Sequence, residues 1–222
     1  MVGEPESLEQ DDDDLVARDR RHAYDRTIML SDGVFAIAIT LLAFDIRPPD
    51  GWDGHFASVW RVLAPALVNY VMGFVVVSFY WLLHRRLVAL MAHVDALAMA
   101  FNLLMLGLVA LLPASTRVVE GGGGSPGSLA LNGILVMAIG AALSLLWGYG
   151  AFVRPLVFAG VARRARWVGL LTPVLAPAVM LSATSIPRLP AGIVPVVLVA
   201  MFVPIWMIVQ RLLRPPRKAE SS

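Results

Sequence analysis

The chain has 222 residues, 58% of them hydrophobic, with a mean hydropathy of +0.73 and a formal net charge of +2. Soluble domains run about 45–50% apolar, so this excess points to an integral membrane protein. Cysteine is absent, which excludes disulfides, thiol catalysis and cysteine-ligated metal.

The first 25 residues are polar, with an acidic run from Glu4 to Asp14 followed by arginines. Composition predicts a disordered cytoplasmic tail there. The acidic start, with no short apolar segment before a small-residue cleavage site, does not read as a signal peptide. A bilayer core requires roughly 20 mainly apolar residues per helix. Six stretches qualify: Thr27–Ile46, Val59–Leu83, Val94–Thr116, Ser128–Val153, Trp167–Ser185 and Gly192–Leu213. The expected architecture is therefore an all-α membrane domain over 26–213 and a short cytoplasmic tail over 214–222. Breakers mark the joints: Arg47 with Pro48 and Pro49, the Gly121–Gly124 run, and Pro187 with Pro190. The glycine run reads as a flexible external link. Pro173 and Pro177 should kink the fifth span, and Pro195 and Pro204 the sixth, with neighbouring helices satisfying the freed carbonyls.

Seventeen of the 18 basic residues are arginine, clustered between the apolar runs. They read better as topology signals than as a nucleic-acid surface. With six spans, 14 basic residues fall on the side of the termini: Arg18, Arg20, Arg21, Arg26, Arg85, Arg86, Arg154, Arg163, Arg164, Arg166, Arg211, Arg214, Arg217 and Lys218. Only Arg47, Arg61, Arg117 and Arg188 fall opposite, so both termini are expected in the cytoplasm. Several of the six tryptophans (52, 60, 81, 147, 167 and 206) lie near span ends, where the ring prefers the interface. No internal repeat is visible, so a pore would require several copies of the chain.

The first span is the most informative. At about 100° per residue, Leu30, Gly33, Ile37, Leu41 and Phe44 share a narrow face, with Thr40 about 60° from Ile37. Around a symmetric axis, Ile37, Leu41 and Phe44 would form stacked apolar rings that gate ions by dewetting. A threonine ring would add hard oxygen ligands for an alkali ion. Spacing alone fits ordinary helix packing or lipid contact as well, with Thr40 bonded back to the Ala36 carbonyl. Asp32 caps a helix start in the simplest reading. If partly buried it requires a partner, for which Arg26, His84, Arg85 and Arg86 are the candidates.

The residues Arg26 and Leu30, Ser31, Asp32, Gly33, Val34, Phe35, Ala36, Ile37, Ala38, Ile39, Thr40, Leu41 and Leu42 resemble the signature of the transmembrane protein 175 family of potassium channels. The one departure is Leu30 in place of phenylalanine. Shorter matches follow at Tyr80 to Arg86, Asn102 to Leu104, and Leu111 to Pro113; beyond about residue 120 only helix count and hydropathy agree. The resemblance implies a six-helix subunit that assembles as a homotetramer in a prokaryotic plasma membrane, with the first helix lining a pore for K+ and other monovalent cations. It maps the apolar constriction onto Ile37, Leu41 and Phe44, the last bulkier than the usual aliphatic residue. Potassium preference maps onto Thr40, and a polar network supporting the pore helix onto Arg26, Ser31, Asp32, Trp81 and His84. No cofactor is expected, and selectivity should be modest because the usual potassium-channel filter sequence is missing.

Two other classes compete. A proton-coupled transporter would use Asp32 and His84, against which stand the missing repeat and the scarcity of midplane charge. A membrane enzyme finds no motif: His22, His55, His84 and His93 lack metal-ligand spacing, and His84 with Arg85 and Arg86 reads as an interfacial basic cluster.

Overall fold

The computed structural model describes residues 5–44, 46–47, 54–184 and 194–213. Outside them lie Trp52, Arg188, the proline-containing joint at 186–190, and the tail at 214–222 with Arg214, Arg217 and Lys218. The chain is helical: α1 (Pro5–Ala43), α2 (Phe56–Val88), α3 (Ala96–Ala110), α4 (Leu112–Gly121), α5 (Pro126–Gly148), a π-helical turn (Tyr149–Val153), α6 (Arg163–Thr184) and α7 (Val194–Leu212). Taking α3 with α4, and α5 with its π turn, as single rods gives six rods among the described residues.

Four segments are long and apolar enough to cross a membrane: Tyr24–Ala43, Val59–Val88, Ala96–Gly121 and Pro126–Val153. They match the first four expected spans to within three residues, except at the far ends of the second and third, which each run five residues longer. Helices α6 (22 residues) and α7 (19 residues) provide the remaining two rods. α6 opens on Arg163, Arg164 and Arg166 and holds Pro173 and Pro177, which dilute its apolar character.

One expectation changes at the N-terminus: α1 starts at Pro5 and runs through the acidic segment assigned to a disordered tail. No glycine or proline interrupts the chain between Pro5 and Gly33. Acidic residues near its start suit the helix macrodipole.

The glycine run also differs from a flexible link. Gly124 N–H reaches the Val119 carbonyl (2.9 Å) and Gly123 N–H the Glu120 carbonyl (3.0 Å), with φ of 58° at Gly123. This pair of bonds is a Schellman motif closing α4, and its left-handed residue favours glycine. Ser125 then caps α5, accepting from Ser128 N–H, with Pro126 in the first turn.

α1 packs on α2 and α3, α5 on α3 and α6, and α7 closes on α2 and α6. The core lies where these meet and includes Phe35, Tyr80, Leu83, Met105, Leu143 and Trp147. Gly140 and Gly169 let α5 and α6 approach closely. A Cβ at 140 would overlap the Pro173 carbonyl, and one at 169 would lie 2.5 Å from Trp147 Nε1. Pro177 deprives the Pro173 carbonyl of its helical donor. The Tyr80 hydroxyl donates to the Val136 carbonyl at 2.6 Å and lies 3.3 Å from the Pro173 oxygen, which places a polar group beside the freed carbonyl.

Loops join the helices at the end carrying Arg85 and Arg86. Ala92 N–H donates to the Leu156 carbonyl and Phe158 N–H to that of Leu90, tying the α2–α3 connection to the α5–α6 connection. Asp95, just outside the third span, caps α3 through Ala98 N–H (2.8 Å) and accepts from the Tyr149 hydroxyl (2.7 Å). Burial alone would raise its carboxyl pKa; those two bonds and the Arg154 charge outweigh it and hold the group below the usual carboxylate range.

Candidate functional site

Helix α1 has two distinct faces. Thr27, Ser31, Phe35, Ala38 and Leu42 are buried against α2 and α3. Leu30, Gly33, Ala36, Ile37, Thr40, Leu41 and Phe44 are exposed, with Ile37 and Phe44 at 59% and 63%. At about 100° per residue the two sets lie roughly opposite each other. The face picked out by spacing is therefore the one the subunit leaves uncovered. Burial inside the subunit, the first of the ordinary packing alternatives, does not account for it.

Thr40 sits on this face with its hydroxyl donating to the Ile37 carbonyl at 2.8 Å. The acceptor is three residues back rather than Ala36, four back. With its hydrogen turned to the backbone, the oxygen keeps lone pairs for an outside cation.

Beneath this face the polar residues separate into two groups. In the first, His84 Nε2 lies 2.8 Å from Asn102 Oδ1, Asn102 Nδ2 donates to Ser31 Oγ at 3.1 Å, and Ser31 donates to the Thr27 carbonyl at 2.8 Å. The amide oxygen can only accept, so His84 carries its proton on Nε2. The bonds then run in one direction from α2 through α3 to α1. His84 and Asn102 are each 1% exposed, and the His84 ring packs 5.9 Å from Phe35. This overturns the interfacial reading of His84: its neighbours in sequence point elsewhere, Arg85 outward and Arg86 to the Leu213 carbonyl at 2.8 Å.

In the second group, Trp81 Nε1 donates to Asp32 Oδ1 at 2.7 Å, and the Arg85 guanidinium lies over the Trp81 ring, 5.1 Å from its centre. The partner of the half-buried Asp32 is thus an indole and not one of the four candidates. The indole body is apolar and its N–H meets the carboxylate, while the ring's far side faces a cation, a sandwich that suits a membrane boundary. Arg26 joins neither group; with Thr27, Leu30 and Met99 it lines an open crevice of about 370 Å³.

The residue that spacing missed is Asn102. It is the one polar side chain between Ala96 and Leu112, and that isolation was the available signal. Among the described residues no group of three or more His, Asp or Glu could hold a metal ion.

A model of the family described as endosomal/lysosomal potassium channel TMEM175 matches residues 26–113, the stretch that holds both polar groups and the uncovered face. A protein named as a potassium channel from Streptomyces collinus is 34% identical over 152 residues, covering 64% of this chain and 73% of that protein. Another, named as a potassium channel from Chamaesiphon minutus, is 33% identical over 96 residues, 40% of this chain and 45% of that one. The crystal structure of a lysosomal potassium-selective channel TMEM175 homolog from Chamaesiphon minutus superposes with a TM-score of 0.64 at 22% identity, covering 84% of this chain and 97% of that one. That likeness extends the shared fold past residue 113 into the C-terminal helices.

Proposed function

This chain belongs to the TMEM175 family of ion channels, and from that premise we propose that it forms a potassium-permeable, weakly selective cation channel whose pore is lined by α1. The family is one of channels, not enzymes. The observation that carries the reading is the uncovered face of α1, where three large apolar side chains and one hydroxyl follow each other at helical spacing.

In the proposed assembly, four subunits in the plasma membrane bring these faces around one axis, with both termini in the cytoplasm as the arginine distribution directs. Rings of Ile37, Leu41 and Phe44 make a constriction that favours vapour over water and so sets the closed state. The Thr40 ring offers oxygens that replace part of a cation's hydration shell, giving a modest potassium preference without a backbone-carbonyl filter. The polar groups do not touch the permeating ion. The chain from His84 to Thr27 and the bond from Trp81 to Asp32 fix the height and rotation of α1, which determine the face presented to the axis. A transporter built on Asp32 and His84 gains no support, because the two are bonded to different partners.

The test is a planar-bilayer recording under a potassium/sodium gradient. Wild type should reverse on the potassium side of zero. Thr40→Ala should move the reversal toward zero, and Ile37→Asn should raise open time by wetting the constriction. Unchanged currents in both variants would sink the pore assignment. Saturable flux uphill against a potassium gradient would replace the channel with a transporter.

A further inference from the structure

From residue 121 to the end, the chain contains a single acidic residue, Glu220, against nine arginines and lysines. The structure concentrates part of that uncompensated charge. Arg163 and Arg164, both exposed, open α6, and Arg154 lies on the same connection, where it faces Asp95. Helix stability does not explain Arg163 and Arg164, since cations in a first turn oppose the macrodipole. Neither does bonding among the described residues. Arg166 is tied down, donating to the Ala151 and Val161 carbonyls, and Arg154 lies against Tyr149 and Asp95.

Apolar rings lie beside these charges. Phe152 and Trp167 pack with centres 4.9 Å apart and are 45% and 47% exposed, while Phe158 is 52% and Val153 70% exposed. The backbone bonds from Leu90 and Ala92 to Phe158 and Leu156 hold this connection against the end of α2, so the surface is braced at the level where the spans finish. A topology signal requires only the arginines. Exposed aromatic rings beside arginines, at the end of membrane helices, match the two halves of a phospholipid: acyl chain and negative headgroup.

We propose that Arg163, Arg164, Trp167, Phe152 and Phe158 form a binding surface for anionic phospholipid of the adjoining leaflet. The arginines hold the phosphate and headgroup charge, and the rings lie against the upper acyl chain. The proposal requires only that the chain spans a bilayer. It stands or falls separately from the pore assignment, because its readout involves no current.

Trp167 is a built-in reporter. The full chain is reconstituted in phosphatidylcholine vesicles carrying a minor fraction of brominated phosphatidylglycerol or, in parallel, brominated phosphatidylcholine. Its signal is the emission of wild type minus that of Trp167→Phe. The brominated anionic lipid should quench this signal with an apparent preference of up to about thirtyfold, as expected for two basic side chains at an anionic surface. Arg163→Gln with Arg164→Gln should bring the two lipids to equal quenching, and Arg163→Lys with Arg164→Lys should retain most of the preference. In wild type the preference should also shrink as salt is raised about tenfold, because the attraction is screened. Equal quenching in wild type, or a preference insensitive to salt, would overturn the proposal. Trp167 emission that neither lipid quenches would show protein covering this face, and would overturn it too.

Discussion

Replacing Asn102 with leucine tests whether the buried polar chain holds α1 in place. Leucine shares asparagine's branching and heavy-atom count, so the change removes hydrogen bonds without opening a cavity, and its two methyl groups add some bulk. Among the described residues His84 would lose its one partner: Nε2 is bonded to Asn102 alone, and Nδ1 is buried with no partner there. A ring sealed at 1% exposure with neither nitrogen paired costs about 1–3 kcal/mol. Ser31 fares better, because its hydroxyl keeps the Thr27 carbonyl. Its loss is closer to the ~0.6 kcal/mol typical of interhelical hydrogen bonds in membranes. The sum is about 1.6–3.6 kcal/mol, and at ~2–4 °C per kcal/mol for a chain of this size the midpoint should fall by ~3–14 °C. The assay is the thermal midpoint of the detergent-solubilised chain, followed by size-exclusion chromatography after heating. His84→Phe combined with Asn102→Leu removes both halves of the bond and leaves no orphan polar atom between them. The double variant should therefore recover at least half of the loss. A single variant within about 1 °C of wild type, or a double variant that loses the sum of both singles, would refute the reasoning.

Two further outcomes follow from the packing and from the loops. Gly140→Ala forces a methyl group into the Pro173 carbonyl, a backbone group that cannot swing away. It should cost at least the ~1–3 kcal/mol of core overpacking and depress the yield of monodisperse protein. Gly33→Ala, with nothing within 4 Å, should leave that yield unchanged. Asp95 predicts a pH dependence. Its folded pKa lies below the unfolded value of about 3.9, so its contribution is fully present above that pH and fades as pH falls through the lower folded value. The stability gap between wild type and Asp95→Asn should be flat from about pH 7 to 5 and close below about pH 4; a gap that closes above pH 5 would contradict this.

The apolar helices and the uncovered face of α1 were legible because both follow from periodicity and length, which a single chain displays. Partners were not. Asp32 announces that it requires one, and charge alone nominates Arg26, His84, Arg85 and Arg86. The indole of Trp81 won because α2 presents it at the right height, a fact of helix packing that no local pattern encodes. Asn102 stands out as a lone amide in an apolar span and belongs to a short family match, but nothing in the sequence names the histidine across from it. The glycine run misled in the opposite direction: composition suggested slack, whereas the positive φ of Gly123 closes α4. At the N-terminus, polar composition argued for disorder. What it overlooked is that acidic residues followed by arginines, with no helix breaker between, also satisfy a helix.

The absence of native cysteine makes one measurement decisive for the pore. Single cysteines are introduced at Thr40 and Leu41 on the uncovered face of α1 and, as a control, at Leu104, exposed on α3. Each is exposed to a water-soluble, positively charged thiol reagent during potassium-current recording. If α1 lines the conduction path, currents through the Thr40→Cys and Leu41→Cys channels should fall as the reagent reacts, while wild type and Leu104→Cys should not respond. Currents that persist in both α1 variants after confirmed labelling would contradict a pore on this face.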